Sequence, residues 1–109
     1  MAFSSALADR LRHATRSRRD LTEKKMFGGL CFLLHGNMCF GVMASSLIVR
    51  VGPDAYAAAL KQPNVAEFNV TGRPMKGWIV VEPDGLENDR QLDTWIGQAI
   101  AFVETLPRK

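Results

Sequence analysis

The longest apolar run of the chain is KMFGGLCFLLHGNMCFGVMASSLIVRV, residues 25–51. Glycines and turn residues divide it into three extended segments, residues 26–34, 38–43 and 47–51. Gly36 and Asn37 can both adopt the positive φ that the centre of a tight hairpin turn requires. The run therefore predicts a three-stranded antiparallel meander, with Gly36 and Asn37 at its first turn.

Both faces of the predicted hairpin are apolar. A two-residue turn at Gly36 and Asn37 pairs His35 with Met38, and faces then alternate along each strand. The apolar side chains of one face are Leu30, Phe32, Leu34, Cys39 and Met43, and those of the other are Cys31, Leu33, Phe40 and Val42. A hairpin with one solvated side would alternate apolar and polar residues. We therefore expect helices on one face, and a further helix, a folded-back segment or a second copy of the chain on the other.

The rest of the chain predicts three helices and two more strands. Apolar residues at helical spacing predict an amphipathic helix over about residues 4–16, followed by a polar loop over residues 17–24. Pro53 starts a second helix, and a capping box of Asn88 and Gln91 starts a third that Pro107 stops. Short strands are predicted at residues 68–70 and 78–82. The order α-β-β-β-α-β-β-α predicts a two-layer α+β domain with a largely antiparallel sheet of about five strands.

Length and composition are those of one globular domain spanning residues 1–109. Hydrophobic residues make up 47% of the chain and charged residues 23%. No segment approaches the ~20 consecutive apolar residues that span a bilayer. The N-terminus lacks the pattern of a signal peptide, so we expect a cytoplasmic protein without a membrane partner.

The positive charge is concentrated near the N-terminus. The chain has a net charge of +3, and residues 1–25 hold seven basic against three acidic side chains. Arginine and lysine side chains that neutralise phosphates give salt-dependent binding without sequence preference. The alternative is a solvated helix face and loop, since Asp9, Asp20 and Glu23 lie among the basic residues. The candidate contacts with nucleic acid or a partner are Arg10, Arg12, Arg16, Arg18 and Arg19.

A second candidate surface is the loop before the last predicted strand, residues 72–78. It combines Arg73, Lys76 and Trp78 with the rigid Pro74. A basic loop with an aromatic residue can contact a protein partner or an anionic ligand. The alternative is that Trp78 belongs to the core and the loop only connects two elements.

Catalytic and metal-binding patterns are weak in this sequence. The chain has two cysteines, Cys31 and Cys39, which the predicted register places on opposite faces, so we expect no disulfide between them. His35 lies four residues from each cysteine, and the predicted strand geometry brings it within reach of neither thiol. No spacing typical of a zinc or calcium site is present. We therefore expect a protein without cofactor or metal, and one that is more plausibly non-enzymatic.

Five segments of the chain together resemble the N-terminal domain of the TfoX (Sxy) family of bacterial competence regulators. The specific ones are the Met-Phe-Gly-Gly motif at residues 26–29 and Gly-Arg-Pro-Met-Lys-Gly-Trp at residues 72–78. Weaker matches are Leu-Ile-Val-Arg-Val at residues 47–51, Leu92 with Trp95, and Leu106 with Pro107. The resemblance covers nearly the whole chain as one domain.

The resemblance implies a small α+β domain like that of type III secretion chaperones. It also implies a role in transcriptional activation through association with a promoter-bound protein, the cyclic-AMP receptor protein, and supplies no catalytic residues. Together with the apolar hairpin, it leads us to expect a regulatory protein-interaction domain that forms a homodimer. Nucleic-acid binding through the N-terminal arginines, and a small-ligand site or enzyme at residues 72–78, are the alternatives.

Overall fold

A six-stranded antiparallel sheet covered on one face by three helices makes up the protein. The computed structural model describes residues 3–26, 28–69, 72 and 75–108. The strands in this part of the chain are β1 (Leu21–Met26), β2 (Gly29–Leu34), β3 (Asn37–Met43), β4 (Ser46–Arg50), β5 (Val65–Glu67) and β6 (Trp78–Val81). The helices are α1 (Ser5–Ala14), α2 (Pro53–Leu60) and α3 (Asp89–Val103), with a 3-10 turn at Pro83–Leu86. The predicted α+β fold is confirmed.

The strands lie in the order β1-β2-β3-β4-β6-β5, and each neighbouring pair is antiparallel. The first four strands form a meander in chain order. The chain then passes through α2, forms β5 at the far edge of the sheet and returns as β6 between β5 and β4. The predicted meander is therefore present, with one more strand at its start.

The additional strand is β1, where the sequence predicted a polar loop over residues 17–24. That prediction was wrong over the second half of the segment, because Leu21–Met26 pairs along its whole length with β2. Its sequence is LTEKKM, and its four middle side chains are exposed. An edge strand can be polar because it has a neighbouring strand along only one of its two hydrogen-bonding edges. Its charged side chains also discourage pairing with other chains. An apolar pattern therefore could not reveal it.

The hairpin turn lies one residue earlier than predicted. Its two central residues are His35 and Gly36, with φ of 53° and 85°, and Leu34 pairs with Asn37. The predicted pairing of His35 with Met38 was wrong. Asn37 is 4% exposed and its side-chain amide donates a hydrogen bond of 2.9 Å to the carbonyl of Pro107, which keeps it in β3.

Because of a bulge in β3, the predicted assignment of its side chains to the two sheet faces was also wrong in part. Phe32 pairs with Phe40 and Leu33 with Met38, so that Cys39 is an extra residue on β3. Cys39 and Phe40 are both fully buried in the helix-covered core, whereas the prediction placed them on opposite faces. A bulge can direct two successive side chains to one side, and the turn geometry does not reveal it.

The helix-covered face of the sheet forms the hydrophobic core. α1 contributes Leu7, Ala8 and Leu11, and α2 contributes Ala59. α3 contributes the wide stripe that its sequence predicted: Leu92, Trp95, Ile96, Ala99, Ile100 and Val103. The predicted capping box is present, since the backbone N–H of Gln91 donates to the Asn88 side chain at 2.8 Å and the Gln91 side chain accepts from the Asn88 N–H. Each large apolar side chain buried here stabilises the fold by about 1.5–3 kcal/mol.

Gly41 in β3 and Gly97 in α3 differ in the space available for a side chain. A Cβ at Gly41 would lie 2.7 Å from the carbonyl oxygen of Leu30 and 3.2 Å from the Cα of Cys31, whereas a Cβ at Gly97 in α3 would meet nothing within 4 Å. We expect Gly41→Ala to destabilise the fold by about 1–3 kcal/mol, because β2 and β3 must separate. Gly97→Ala should stabilise it by about 1 kcal/mol, because alanine is the better helix former. Urea unfolding followed by circular dichroism measures both, and equal stability of the two variants would contradict the described hairpin packing.

Candidate interaction surface

The sheet face turned away from the helices is also apolar. We call it the outer face; alternation along the paired strands places on it Thr22, Lys24, Met26, Cys31, Leu33, Met38, Met43, Ser46, Ile48, Arg50, Ala66, Trp78 and Val80. All sheet residues in the helix-packed core belong to the opposite face. The helices of the described chain therefore pack on one side of the sheet.

Burial on the outer face differs from centre to margin. Cys31 and Ile48 in the middle are 2% and 1% exposed, and Phe68, which follows β5, is 4% exposed. Leu33, Met38, Met43, Trp78 and Val80 around them are half-buried. The expectation that something covers this face is met in part, since Phe68 packs against Trp78 with 6.1 Å between ring centroids. The half-buried side chains keep accessible apolar surface.

Methionines are unusually frequent on this side of the molecule. Met26, Met38 and Met43 lie on the outer face, and Met75 lies beside it, with its N–H donating to the carbonyl of Phe68 at 3.0 Å. Met75 is the one large hydrophobic residue in the described part of the chain that is exposed, at 38%. Methionine side chains are flexible and polarisable, and they adapt to partners of different shape. A surface of this composition is suited to binding another protein.

The charges on the outer face are of one sign. Within the described residues it carries Lys24 and Arg50, and neither an aspartate nor a glutamate. Lys76 is exposed in the loop before β6 and adds a third cation near the same end of the sheet as Arg50. The described part of this face therefore carries only positive charge at its margin.

Arg50 lies at the end of β4, close to two aromatic rings. Its guanidinium carbon is 5.0 Å from the ring centroid of Trp78 and 5.8 Å from that of Phe102, distances at which a cation is attracted to the ring face. Its Nη1 donates to the carbonyl of Met38 at 3.3 Å. Burial lowers the pKa of the Arg50 guanidinium. We call Arg50, Trp78, Phe102 and Met38 the arginine–aromatic cluster.

The neighbouring backbone holds this cluster in place. Gly77 has φ of 95°, and its carbonyl accepts hydrogen bonds from the N–H groups of Val51 and Gly52 at 2.9 and 3.0 Å. Gly52 has φ of 89°, and a Cβ there would collide with the ring of Phe102. The end of β4, the start of β6 and the end of α3 are therefore fixed against one another around Arg50.

The sequence-predicted site at residues 72–78 is partly brought together with this cluster. Trp78 is half-buried at the start of β6 and contacts both Arg50 and Phe68, so it is neither wholly core nor wholly surface. Lys76 is exposed. Arg73 lies outside the described residues.

The predicted basic cluster lies on the opposite side of the domain, in α1 and the turn after it. Arg10 pairs with Asp89 at 3.3 Å, Arg12 with Glu23 at 2.9 Å and with Asp9 at 3.0 Å, and Arg18 with Asp20 at 2.8 Å and Glu104 at 3.4 Å. Arg16 donates to the carbonyl of His13 at 2.7 Å, and Arg19 is exposed. The hydrogen bond to Glu23 raises the pKa of Arg12, and that to Asp20 raises the pKa of Arg18.

Three of the five arginines that the sequence predicted as contacts, Arg10, Arg12 and Arg18, are therefore already paired with carboxylates. Arg10 and Arg16 also line a cleft of about 390 Å³ between α1 and α3, together with Asp9, Asp89 and Asp93. A phosphate group approaching this cleft would meet acidic as well as basic side chains. The structure brings the arginines together but does not leave them as an unbalanced basic patch.

Both cysteines are buried and free in the structure, with Cys31 on the outer face and Cys39 in the helix-covered core. Burial raises the pKa of Cys39 to about 12 and also raises that of Cys31. Thiolate is the nucleophilic form of cysteine, and it is nearly absent from these residues at neutral pH. In the part of the chain that the structure describes, no three His, Cys, Asp or Glu residues are grouped to hold a metal ion.

Sequence reasoning missed Arg50 as a functional candidate. The signal was present, because Arg50 is the single charged residue within the otherwise apolar segment at residues 47–51. A charge in a strand that the sheet must bury on both sides is unfavourable unless it serves a contact.

Comparison with known proteins identifies the family. The model of the TfoX N-terminal domain matches residues 14–103. The fold and the outer face define a small α+β domain whose second sheet face has a buried centre and half-buried apolar side chains around it. The chain belongs to the TfoX N-terminal domain family. The comparison with curated proteins found no match, and the comparison with solved structures found none either.

None of the helices in the described part of the chain is long and apolar enough to cross a membrane.

The buried thiols give a direct chemical test. With Cys31→Ala, Cys39 is the single thiol, and a pKa raised from 9.0 to about 12 leaves about a thousandfold less thiolate at neutral pH. We expect this variant to react with Ellman's reagent far more slowly than free cysteine when folded, and at the ordinary rate in concentrated guanidinium. Rapid reaction of the folded variant would show that Cys39 is accessible and activated.

Proposed function

We propose that this protein is a non-enzymatic protein-interaction domain with a regulatory role, and that the outer face is its binding surface. The observation that carries this proposal is the asymmetry of the sheet. Three helices fill one face, while the other keeps half-buried Leu33, Val80 and methionines together with Arg50. Accessible apolar patches of this kind mark interaction sites on soluble domains.

Family membership supports the regulatory part of the proposal. Regulation of transcription through contact with a DNA-bound protein, which the resemblance to the TfoX regulators implies, requires a binding surface and no catalytic group. We place this activity in the cytoplasm of a bacterium, where the TfoX regulators act.

The two alternatives from the sequence have less support. Direct DNA contact through Arg10, Arg12 and Arg18 requires each to leave a carboxylate partner. A ligand site or enzyme at residues 72–78 requires a reactive or enclosed group, and Lys76 there is exposed. Both remain predictions from the sequence.

A second copy of the chain is the simplest occupant of the outer face, and we propose such a homodimer. Over β2, β3, β4 and β6 the face measures about 19 by 17 Å, since strands lie about 4.8 Å apart and rise about 3.3 Å per residue. This plan area of about 320 Å² is well below the ~800 Å² that each partner buries in a stable complex. The dimer should therefore be weak.

Sedimentation equilibrium tests the homodimer and its surface together. We expect association above tens of micromolar, and we expect salt to strengthen it by screening Lys24 and Arg50 of one copy from those of the other. The double substitution Leu33→Thr with Val80→Thr keeps strand propensity while removing apolar contact, and it should leave a monomer. Ala101→Thr, at an exposed position of α3, is the matched control and should associate like the wild type.

A wild-type monomer at all concentrations would remove the homodimer. Unchanged association of the double variant would place the contact away from the outer face and contradict the proposed surface.

A further inference from the structure

Arg50 is the half-buried arginine that has no carboxylate partner in the described part of the chain. Arg10, Arg12 and Arg18 each have a carboxylate within 3.3 Å in the described part of the chain. Among the same residues Arg50 has no carboxylate within ion-pair distance, and its hydrogen bond to the Met38 carbonyl, at 3.3 Å, is long. A guanidinium has five N–H donors, so most of this fork is free for another acceptor.

Arg50 is half-buried, so part of its side chain keeps contact with solvent. In the described chain no buried side-chain nitrogen or oxygen lacks a hydrogen-bond partner, so the unused nitrogens of Arg50 contact solvent. The rings of Trp78 and Phe102 both lie within cation–π distance of the guanidinium and restrict its movement. A fixed guanidinium fork matches the two oxygens of a carboxylate, and the pairing is stronger where water is partly excluded.

The outer face cannot supply this carboxylate to a second copy of itself. Its described residues include Lys24 and Arg50 and no acidic side chain. Two copies facing each other would bring together like charges and leave both arginines without an anion. The charge of the surface therefore favours a different occupant from the homodimer, one with negative charge.

The remaining side chains of the outer face indicate that its binding partner is apolar as well as acidic. Leu33, Met38, Met43 and Val80 offer half-buried apolar surface and no further cation. A nucleic-acid backbone would place phosphates against these side chains and gain little, because its affinity comes from lysine and arginine contacts. An amphipathic protein segment can instead place apolar side chains against them and a carboxylate at the margin of the face.

We propose that the outer face binds an acidic amphipathic segment of a partner protein, with apolar side chains on Leu33, Met38, Met43 and Val80 and one carboxylate paired with Arg50. This inference rests on the proposed function as an interaction domain and names its partner class. The carboxylate accepts two hydrogen bonds from the guanidinium close to Trp78 and Phe102. Binding and homodimer formation use the same surface, so a bound segment displaces the second copy.

Selection from a library of short random peptides displayed on phage tests this chemistry, because such a library favours no particular partner. The full chain is the bait, in parallel with Arg50→Gln, Arg50→Lys and the exposed control Arg19→Gln. We expect wild type and Arg19→Gln to enrich peptides in which Asp or Glu lies beside Leu, Ile, Phe or Met. Arg50→Gln should lose the acidic preference, and a selected peptide should bind it at least about tenfold more weakly.

Arg50→Lys separates charge from geometry, since lysine keeps the cation and loses the fork. We expect the binding free energy of the Arg50→Lys variant to lie closer to that of Arg50→Gln than to that of the wild type. Thermal unfolding of each variant confirms that it is folded, and NMR of the bound wild type should show shifts at the indole N–H of Trp78 and the methyl groups of Val80.

The other outcomes overturn the inference in distinguishable ways. The wild type could enrich apolar peptides that lack acidic residues and that the Leu33→Thr, Val80→Thr double variant no longer binds. This result would support the outer face as the interaction surface but would show that Arg50 does not anchor the peptide. A library that yields no enrichment, with a dimer that the double substitution abolishes, would make a second copy the occupant. No enrichment and no self-association would remove both this inference and the proposed function.

Discussion

The register of the β2–β3 hairpin is the constraint on which the rest of the structure depends. His35 and Gly36 turn the chain with positive φ, and the bulge at Cys39 directs both Cys39 and Phe40 toward the helices. Phe40 then stacks on Phe32 with 4.8 Å between ring centroids. This pair lies under the helix layer, so a shift of one residue would exchange the helix-covered face with the outer face.

The consequence of this register is a sheet with two apolar faces of different character. The helix-covered face carries Phe32, Phe40 and branched aliphatic side chains, which fix a core shape because they have few rotamers. The outer face carries methionines, Trp78 and Arg50, which are longer and more adaptable. Under the proposed function, the first set specifies the fold and the second accommodates a partner.

The elements that were predictable from the sequence are those in which one local signal agrees with the global packing. α3 has a capping box, an apolar stripe and a terminal proline, and each points to the same helix. β1 has no such agreement, since its polarity reflects its position at the edge of the sheet, which only the assembled topology defines. The hairpin turn depended on a distant contact as well, because Asn37 is held in β3 by the carbonyl of Pro107. The candidate surface was harder to foresee for the same reason: Arg50 and Phe102 are far apart in sequence and meet only at the end of the folded sheet.

Arg50 shows how a surface can be both stable and selective. Burial of apolar side chains supplies affinity in proportion to area and discriminates little between apolar partners. A partly desolvated guanidinium discriminates strongly, because it costs free energy until an anion meets it and rejects any partner that leaves it unpaired. Trp78 and Phe102 lower that cost in the free protein through their ring faces, without filling the hydrogen-bonding positions of the guanidinium. In the proposed interaction, the cluster lets the domain fold without its partner and leaves the guanidinium free to pair with the partner's carboxylate.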